Sequence, residues 1–162
     1  MFVTAVPKEE QAMKVADILK IKGNTLFTVT PDQPLADAVN LMAENDIGSV
    51  VVMSQGKLAG MLTFREVMRV VVKNGGAIGS SKVSEAMNGN PHSASMETSL
   101  DEARRLILDE HARYVPVMDS GMLMGVISFY DVAKAVVDSQ NFENKMLKAY
   151  IRDWPSEESE SK

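Results

Sequence analysis

The apolar positions of this chain change period several times, and the changes come twice in the same order. Val15, Ala16, Ile18 and Leu19 make a short apolar helical turn that closes near Gly23–Asn24. Leu26–Phe27–Thr28–Val29–Thr30 is β-prone and stops at Pro31. From Pro34 the spacing turns helical, with Leu35, Ala38, Val39 and Met42 on one face. Proline suits a helix start, where a missing N–H costs nothing. Ser49 to Met53 and Leu58 to Leu62 then read as two strands joined by a tight hairpin at Gln55–Gly56. Helical spacing resumes from Glu66 to Val72, and Asn74–Gly75–Gly76 ends it.

The second half repeats this programme. Val83 to Met87 matches the opening turn, and Ser99–Leu100–Asp101–Glu102 is a capping box that starts a helix reaching about Glu110. Strands over Tyr114 to Met118 and Leu123 to Ile127 flank a turn at Ser120–Gly121, and a helix follows from Asp131. Shifting Leu35–Val72 onto Leu100–Val137 needs no gap, and thirteen of the 38 pairs are identical. Ungapped identity across helix, strand, turn and helix means one supersecondary unit used twice. The predicted fold is α/β (α+β): two β-α-β-β-α repeats, over residues 13–73 and 80–138, closed on each other with approximate two-fold symmetry. Phe142, Met146, Ala149 and Tyr150, with Leu147, Ile151 and Trp154 beside them, extend a C-terminal helix over 139–155. Pro155 ends it, and 156–162 is a polar acidic tail expected to be disordered. That helix either packs back on its own core or faces a second chain.

Composition narrows the function classes. Among 162 residues, 17 Lys and Arg against 22 Asp and Glu give a net charge of −5. No basic run is long enough to track a phosphate backbone, which argues against nucleic acid. Cysteine is absent, which removes disulfides and thiolate chemistry, and His92 and His111 lack zinc-site spacing. No apolar run approaches the roughly 18 residues of a membrane span. The first residues carry no convincing signal peptide, so a cytoplasmic location is the expectation.

The candidate chemistry sits in two phrases, GMLTFRE from Gly60 to Glu66 and GVISFYD from Gly125 to Asp131. In each, a hydroxyl (Thr63, Ser128) falls where a strand hands over to a helix, and a carboxylate (Glu66, Asp131) follows one turn later. Free N–H groups at a helix start favour a bound phosphate. The carboxylate accepts hydrogen bonds, which suits a ribose diol. The plain alternative is a helix cap with an acidic first-turn residue. Either phrase alone favours the cap; duplication at matched positions favours the ligand. No Ser-His-Asp arrangement, G-x-S-x-G elbow or Walker loop appears, and no catalytic residue or metal ligand is assigned.

The duplicated G-h-h-[ST]-x-x-[DE] phrase, with VPVMDSGMLMGVIS leading into the second copy, resembles a pair of cystathionine β-synthase (CBS) domains. The stretch IGSVVVMSQGKLAGMLTFRE is similar to the first repeat of small stand-alone bacterial CBS-pair signal-transduction proteins. The resemblance implies a module with two clefts, usually dimerised, that binds AMP, ADP, ATP or NAD(H) without a catalytic cofactor. It implies one site of Thr28, Gly48, Ser49, Val51, Thr63, Phe64, Arg65 and Glu66. The other would use Ser93, Arg113, Tyr114, Pro116, Ser128, Phe129, Tyr130 and Asp131. In this reading Thr28 and Ser93 meet the adenine edge, Arg65 and Arg113 face phosphate, and Tyr130 stacks on the base or crowds it. Asp131, one methylene shorter than Glu66, is expected to hold the ribose more tightly.

Three functions follow from these readings. The first is a sensor that binds an adenosine nucleotide and modulates an unidentified partner protein. The second is a dimeric scaffold with vestigial clefts. An NAD-using enzyme is the weakest of the three, since no Rossmann glycine pattern is present.

Overall fold

The computed structural model describes residues 13–23 and 25–153. The lead-in through Ala12, Asn24, Trp154, Pro155 and the expected tail 156–162 lie outside them. Six helices and six strands follow in order: α1 (Val15–Lys22), β1 (Thr28–Val29), α2 (Leu35–Glu44), β2 (Ser49–Ser54), β3 (Lys57–Thr63), α3 (Phe64–Lys73), α4 (Val83–Ala86), β4 (Ala94–Ser95), α5 (Leu100–Asp109), β5 (Tyr114–Asp119), β6 (Met122–Ser128) and α6 (Phe129–Asp153). Two three-stranded sheets result, ordered β1-β2-β3 and β4-β5-β6.

The two sheets share one register. Val50 opposes Leu62 and Val52 opposes Gly60, as Val115 opposes Ile127 and Val117 opposes Gly125. Both hairpins carry a bulge at the same place, after Val52 and after Val117. Both turn on a residue pair with positive φ, Gln55–Gly56 and Ser120–Gly121. Two such residues make the turn whose twist matches paired strands. The opening strands are shorter than the β-prone stretch Leu26–Thr30 suggests. In the first repeat Val51 N donates to Phe27 O and Thr28 pairs with Val51. In the second, Pro116 stands where Val51 does and has no N–H, so Ser93 drops out and β4 begins at Ala94.

Each opening helix packs on the other repeat. Val15, Ile18 and Leu19 of α1 join a core with Ala103, Ile107, Val115, Val117, Ile127 and Val132 of the second repeat. Val83 of α4 joins Leu35, Ala38, Val50, Val52 and Leu62 of the first. Backbone bonds fasten the exchange. Leu100 N donates to Met13 O, and Leu35 N donates to Ser81 O, at matched ends of the two halves. A smaller core of Val51, Met61 and Val126 joins the sheets across the seam. Burying one aliphatic side chain contributes about 1.5–3 kcal/mol, so three from α1 bind the halves firmly.

The C-terminal helix is present, but it is not a separate element. α6 runs unbroken from Phe129 to Asp153. Its first turns pack Val132 and Ala135 on the second core, while Phe142, Met146, Leu147, Tyr150 and Ile151 stay exposed.

Candidate functional site

The pseudo-two-fold places one cleft at each end of the seam. The first cleft, of about 500 Å³, has one wall from the end of β3 and the first turns of α3: Met61, Thr63, Phe64, Arg65, Glu66, Met68 and Arg69. The facing wall belongs to the second repeat, with Asn88, Pro91, His92 and the run from Glu110 to Tyr114. The second cleft is about 190 Å³, lined by Lys22, Gly23, Leu26, Phe27, Ile47, Gly48, Ser49, Val51, Gly125 and Val126, with Tyr114 at its edge. A third cavity of about 590 Å³ shares Arg65, His111, Arg113 and Tyr114 with the first cleft and continues over Leu108, Phe129 and Tyr130.

Grouping the candidate residues by repeat is therefore corrected by the geometry. The cap of one repeat faces the strand entry of the other, because the repeats meet across a two-fold. Thr63, Phe64, Arg65 and Glu66 come together with Arg113 and Tyr114, while Gly48, Ser49 and Val51 line the opposite cleft. Thr28 and Ser93 are exposed and line neither cleft. Pro116 is fully buried within β5. Ser128 and Asp131 line neither cavity, and Phe129 and Tyr130 line the third.

The helix starts also differ from the expectation of free N–H donors. Phe64 N donates to Gly48 O and Phe129 N to Arg113 O, so each helix is fastened to its own repeat's strand entry. Arg65 N donates to Thr63 Oγ1, and Asp131 N to Ser128 Oγ at 3.1 Å. Both phrases are thus realised as helix caps. Thr63 N donates to Glu66 Oε2 at 2.8 Å, the Thr63 hydroxyl donates to the same oxygen, and Ser128 N donates to Asp131 Oδ2 at 2.8 Å. With these N–H groups taken, donors for an anion must come from side chains.

The first cleft supplies them. Arg65, Arg69 and Arg113, with His92 and His111, border the cavity beside Glu66 and Glu110. Arg65 Nη2 donates to His111 O at 3.1 Å, which steadies one guanidinium across the seam. His92 Nε2 lies 3.3 Å from Glu110 Oε2. Glu66 is 8% exposed, its Oε2 held by the cap. Every fully buried polar side-chain atom among the described residues has a partner. Glu66 nonetheless borders the cleft, with its Oε2 engaged in the cap. The second cleft is furnished differently. Lys22 Nζ donates to Asp131 Oδ2 at 2.7 Å and to Val126 O at 2.9 Å, laying an ammonium across the carboxylate.

Several lining residues escape a reading by repeats. Arg69 stands one turn after Arg65, a spacing that offers it to the same face of α3. His111 matches Asp46, and both take positive φ just after a helix end. Lys22 leaves no signal in the repeat, because the opening turns match Val15 to Val83 and its counterpart is the uncharged Asn90.

The CBS domain pattern matches twice, at residues 15–73 and 83–138. CBSX3, a mitochondrial CBS domain-containing protein of Arabidopsis thaliana, is 30% identical over 151 residues, which is 88% of this chain and 73% of that one. A solved CBS-domain protein from Burkholderia ambifaria MC40-6 is 35% identical with a TM-score of 0.73, over 79% of this chain and 96% of that one. The structure of CBSX2 in complex with AMP is 25% identical with a TM-score of 0.62, over 71% and 90%. Among the described residues no helix is long and apolar enough to cross a membrane. With both repeats matched and the fold shared with solved CBS-domain proteins, the chain belongs to the CBS domain family, as a tandem pair closed into one module.

Proposed function

We propose that this chain is a non-catalytic sensor that binds an adenosine nucleotide, AMP in the first instance, in the Thr63–Glu66 cleft. The observation that carries the reading is the pairing of opposite chemistries in one 500 Å³ cavity. Glu66 lines the cavity with a carboxylate, an acceptor for a ribose diol. Arg65, Arg69 and Arg113 offer guanidinium forks, which bind phosphate bidentately. The volume falls in the usual range for small-molecule sites. The similar structure of CBSX2 holds AMP, which supports the same ligand class here.

This ranking reverses the expectation from side-chain length. The shorter Asp131 is tied to Lys22 beside a cleft of about 190 Å³, whereas Glu66 faces a roomy cavity. Catalysis has no machinery in the first cleft. The Thr63 hydroxyl gives its proton to Glu66 and accepts from Arg65 N, which commits it to the cap.

In this reading the module works as a homodimer and passes its state to a partner protein. Phe64, Met68 and Val72 make an exposed stripe on α3, and Phe129 and Val137 repeat part of it on α6. Apolar stripes repeated by a two-fold suit a second copy of the same chain. Those stripes are also what favours the scaffold reading. A thermal-shift screen against AMP, ADP, ATP, NAD and S-adenosylmethionine separates the two. Stabilisation by about 2.7 kcal/mol is expected at a hundredfold excess over Kd. No shift with any of the five would favour the scaffold.

A further inference from the structure

We infer that Lys22 closes the second cleft to nucleotide, so that the module is single-sited. The inference rests on the nucleotide reading of the first cleft and extends it to the regulation of its twin. Lys22 is the last residue of α1, which packs on the second repeat. From there its ammonium reaches Asp131 Oδ2 at 2.7 Å and Val126 O at 2.9 Å. Asp131 is the counterpart of Glu66, and its side chain is 15% exposed. The carboxylate oxygen that accepts from Ser128 N also carries an ion pair, in the position where a ribose would have to dock.

The first cleft has no such residue. With Val15 matched to Val83 and Leu19 to Met87, Lys22 corresponds to Asn90, which lies beyond the end of α4, a helix half the length of α1. Asn90 carries no charge, and Met87, the counterpart of Leu19, lays its sulfur over Gly60, 3.1 Å from where a Cβ there would stand. Beyond it, Asn88 pairs with Met61 through two backbone bonds, 3.0 and 2.9 Å long. The opening helix of the second repeat therefore stops short of Glu66, while that of the first delivers a cation onto Asp131. The volumes follow this difference, about 190 Å³ against about 500 Å³. A site for a drug-sized or nucleotide-sized ligand spans about 300–1,000 Å³, and the second cleft falls below it. The phosphate end is equally poor there. Gly48 occupies the position that Arg113 holds in the first cleft, so the guanidinium fork is missing.

Exchanging Lys22 for an uncharged side chain, as its twin position already has in Asn90, should open the cleft. Calorimetric titration with AMP on the full chain, as wild type, Lys22→Met, Lys22→Gln and Lys22→Met/Glu66→Ala, tests this. The expected stoichiometry is one AMP per wild-type chain and two per Lys22→Met or Lys22→Gln chain. The double variant should keep its site at the second cleft, with the first weakened by about 10- to 100-fold. Wild type binding two AMP per chain would overturn the inference, and so would a second AMP that is lost when Lys22 is changed. One AMP in the wild type and still one in both Lys22 variants would overturn it alone, leaving the first cleft standing. No binding by any of the four would overturn the nucleotide reading together with it.

Discussion

At the scale of single residues, the glycine of each seven-residue phrase shows what the duplication preserves. Gly60 and Gly125 sit in strands beside the bulges, and neither takes a positive φ that would call for glycine. What asks for glycine is the other repeat. A Cβ on Gly60 would stand 2.5 Å from Asn88 O, a backbone atom held by its pairing with Met61, and one on Gly125 would stand 2.8 Å from a methyl of Leu19. Gly60→Ala should therefore destabilise by about 1–3 kcal/mol, and Gly125→Ala by less, because a leucine side chain can turn away. Urea unfolding of the two variants measures this; equal losses would mean that the strands and not the seam demand the glycine. The phrase itself was legible from sequence, down to its hydroxyl and carboxylate. The reason for its glycine was not, since Asn88 and Leu19 are far away in the chain and only the closed seam brings them near. The same applies to Lys22, whose partner Asp131 is 109 residues away.

Among the elements, the exchange of α1 and α4 between repeats decides how the molecule holds together. Periodicity placed both short helices, the capping box at Ser99 and both hairpins, because each is a local pattern. It did not say whose core a short apolar helix joins, as either core offers an apolar face. For the same reason the candidate residues were sorted by repeat, whereas the seam sorts them by facing walls. The loss of Ser93 from the second sheet was written in Pro116 and follows from one missing N–H. Because α1 belongs to the first repeat in sequence and the second in space, Leu19→Ala should weaken the whole module. A loss of about 2–4 kcal/mol is expected for a leucine that is 3% exposed. The transition should stay single. Hydrogen exchange should speed up in β5 and β6 together with the global opening; two separate unfolding steps would contradict the exchange.

For the whole molecule, the surface distribution matters more than the net charge of −5. Three arginines gather on one cleft, and apolar side chains gather along α3 and α6. Self-association through those helices should give a dimer of a 17.7 kDa chain in light scattering at tens of micromolar. Val72→Asp, at an exposed position of α3, should shift it towards monomer. A wild-type monomer under the same conditions would count against the dimer.

The proposed function places the nucleotide in the first cleft, with Glu66 on the ribose. Calorimetry with AMP on Glu66→Ala and Asp131→Ala, both checked for folding, tests it most directly. A hydrogen bond to a charged acceptor contributes about 1.5–3 kcal/mol, so Glu66→Ala should weaken binding by about 10- to 100-fold. Asp131→Ala should leave the affinity of that cleft within about twofold. A folded Glu66→Ala variant that binds AMP as tightly as the wild type, or a larger loss from Asp131→Ala, would contradict it.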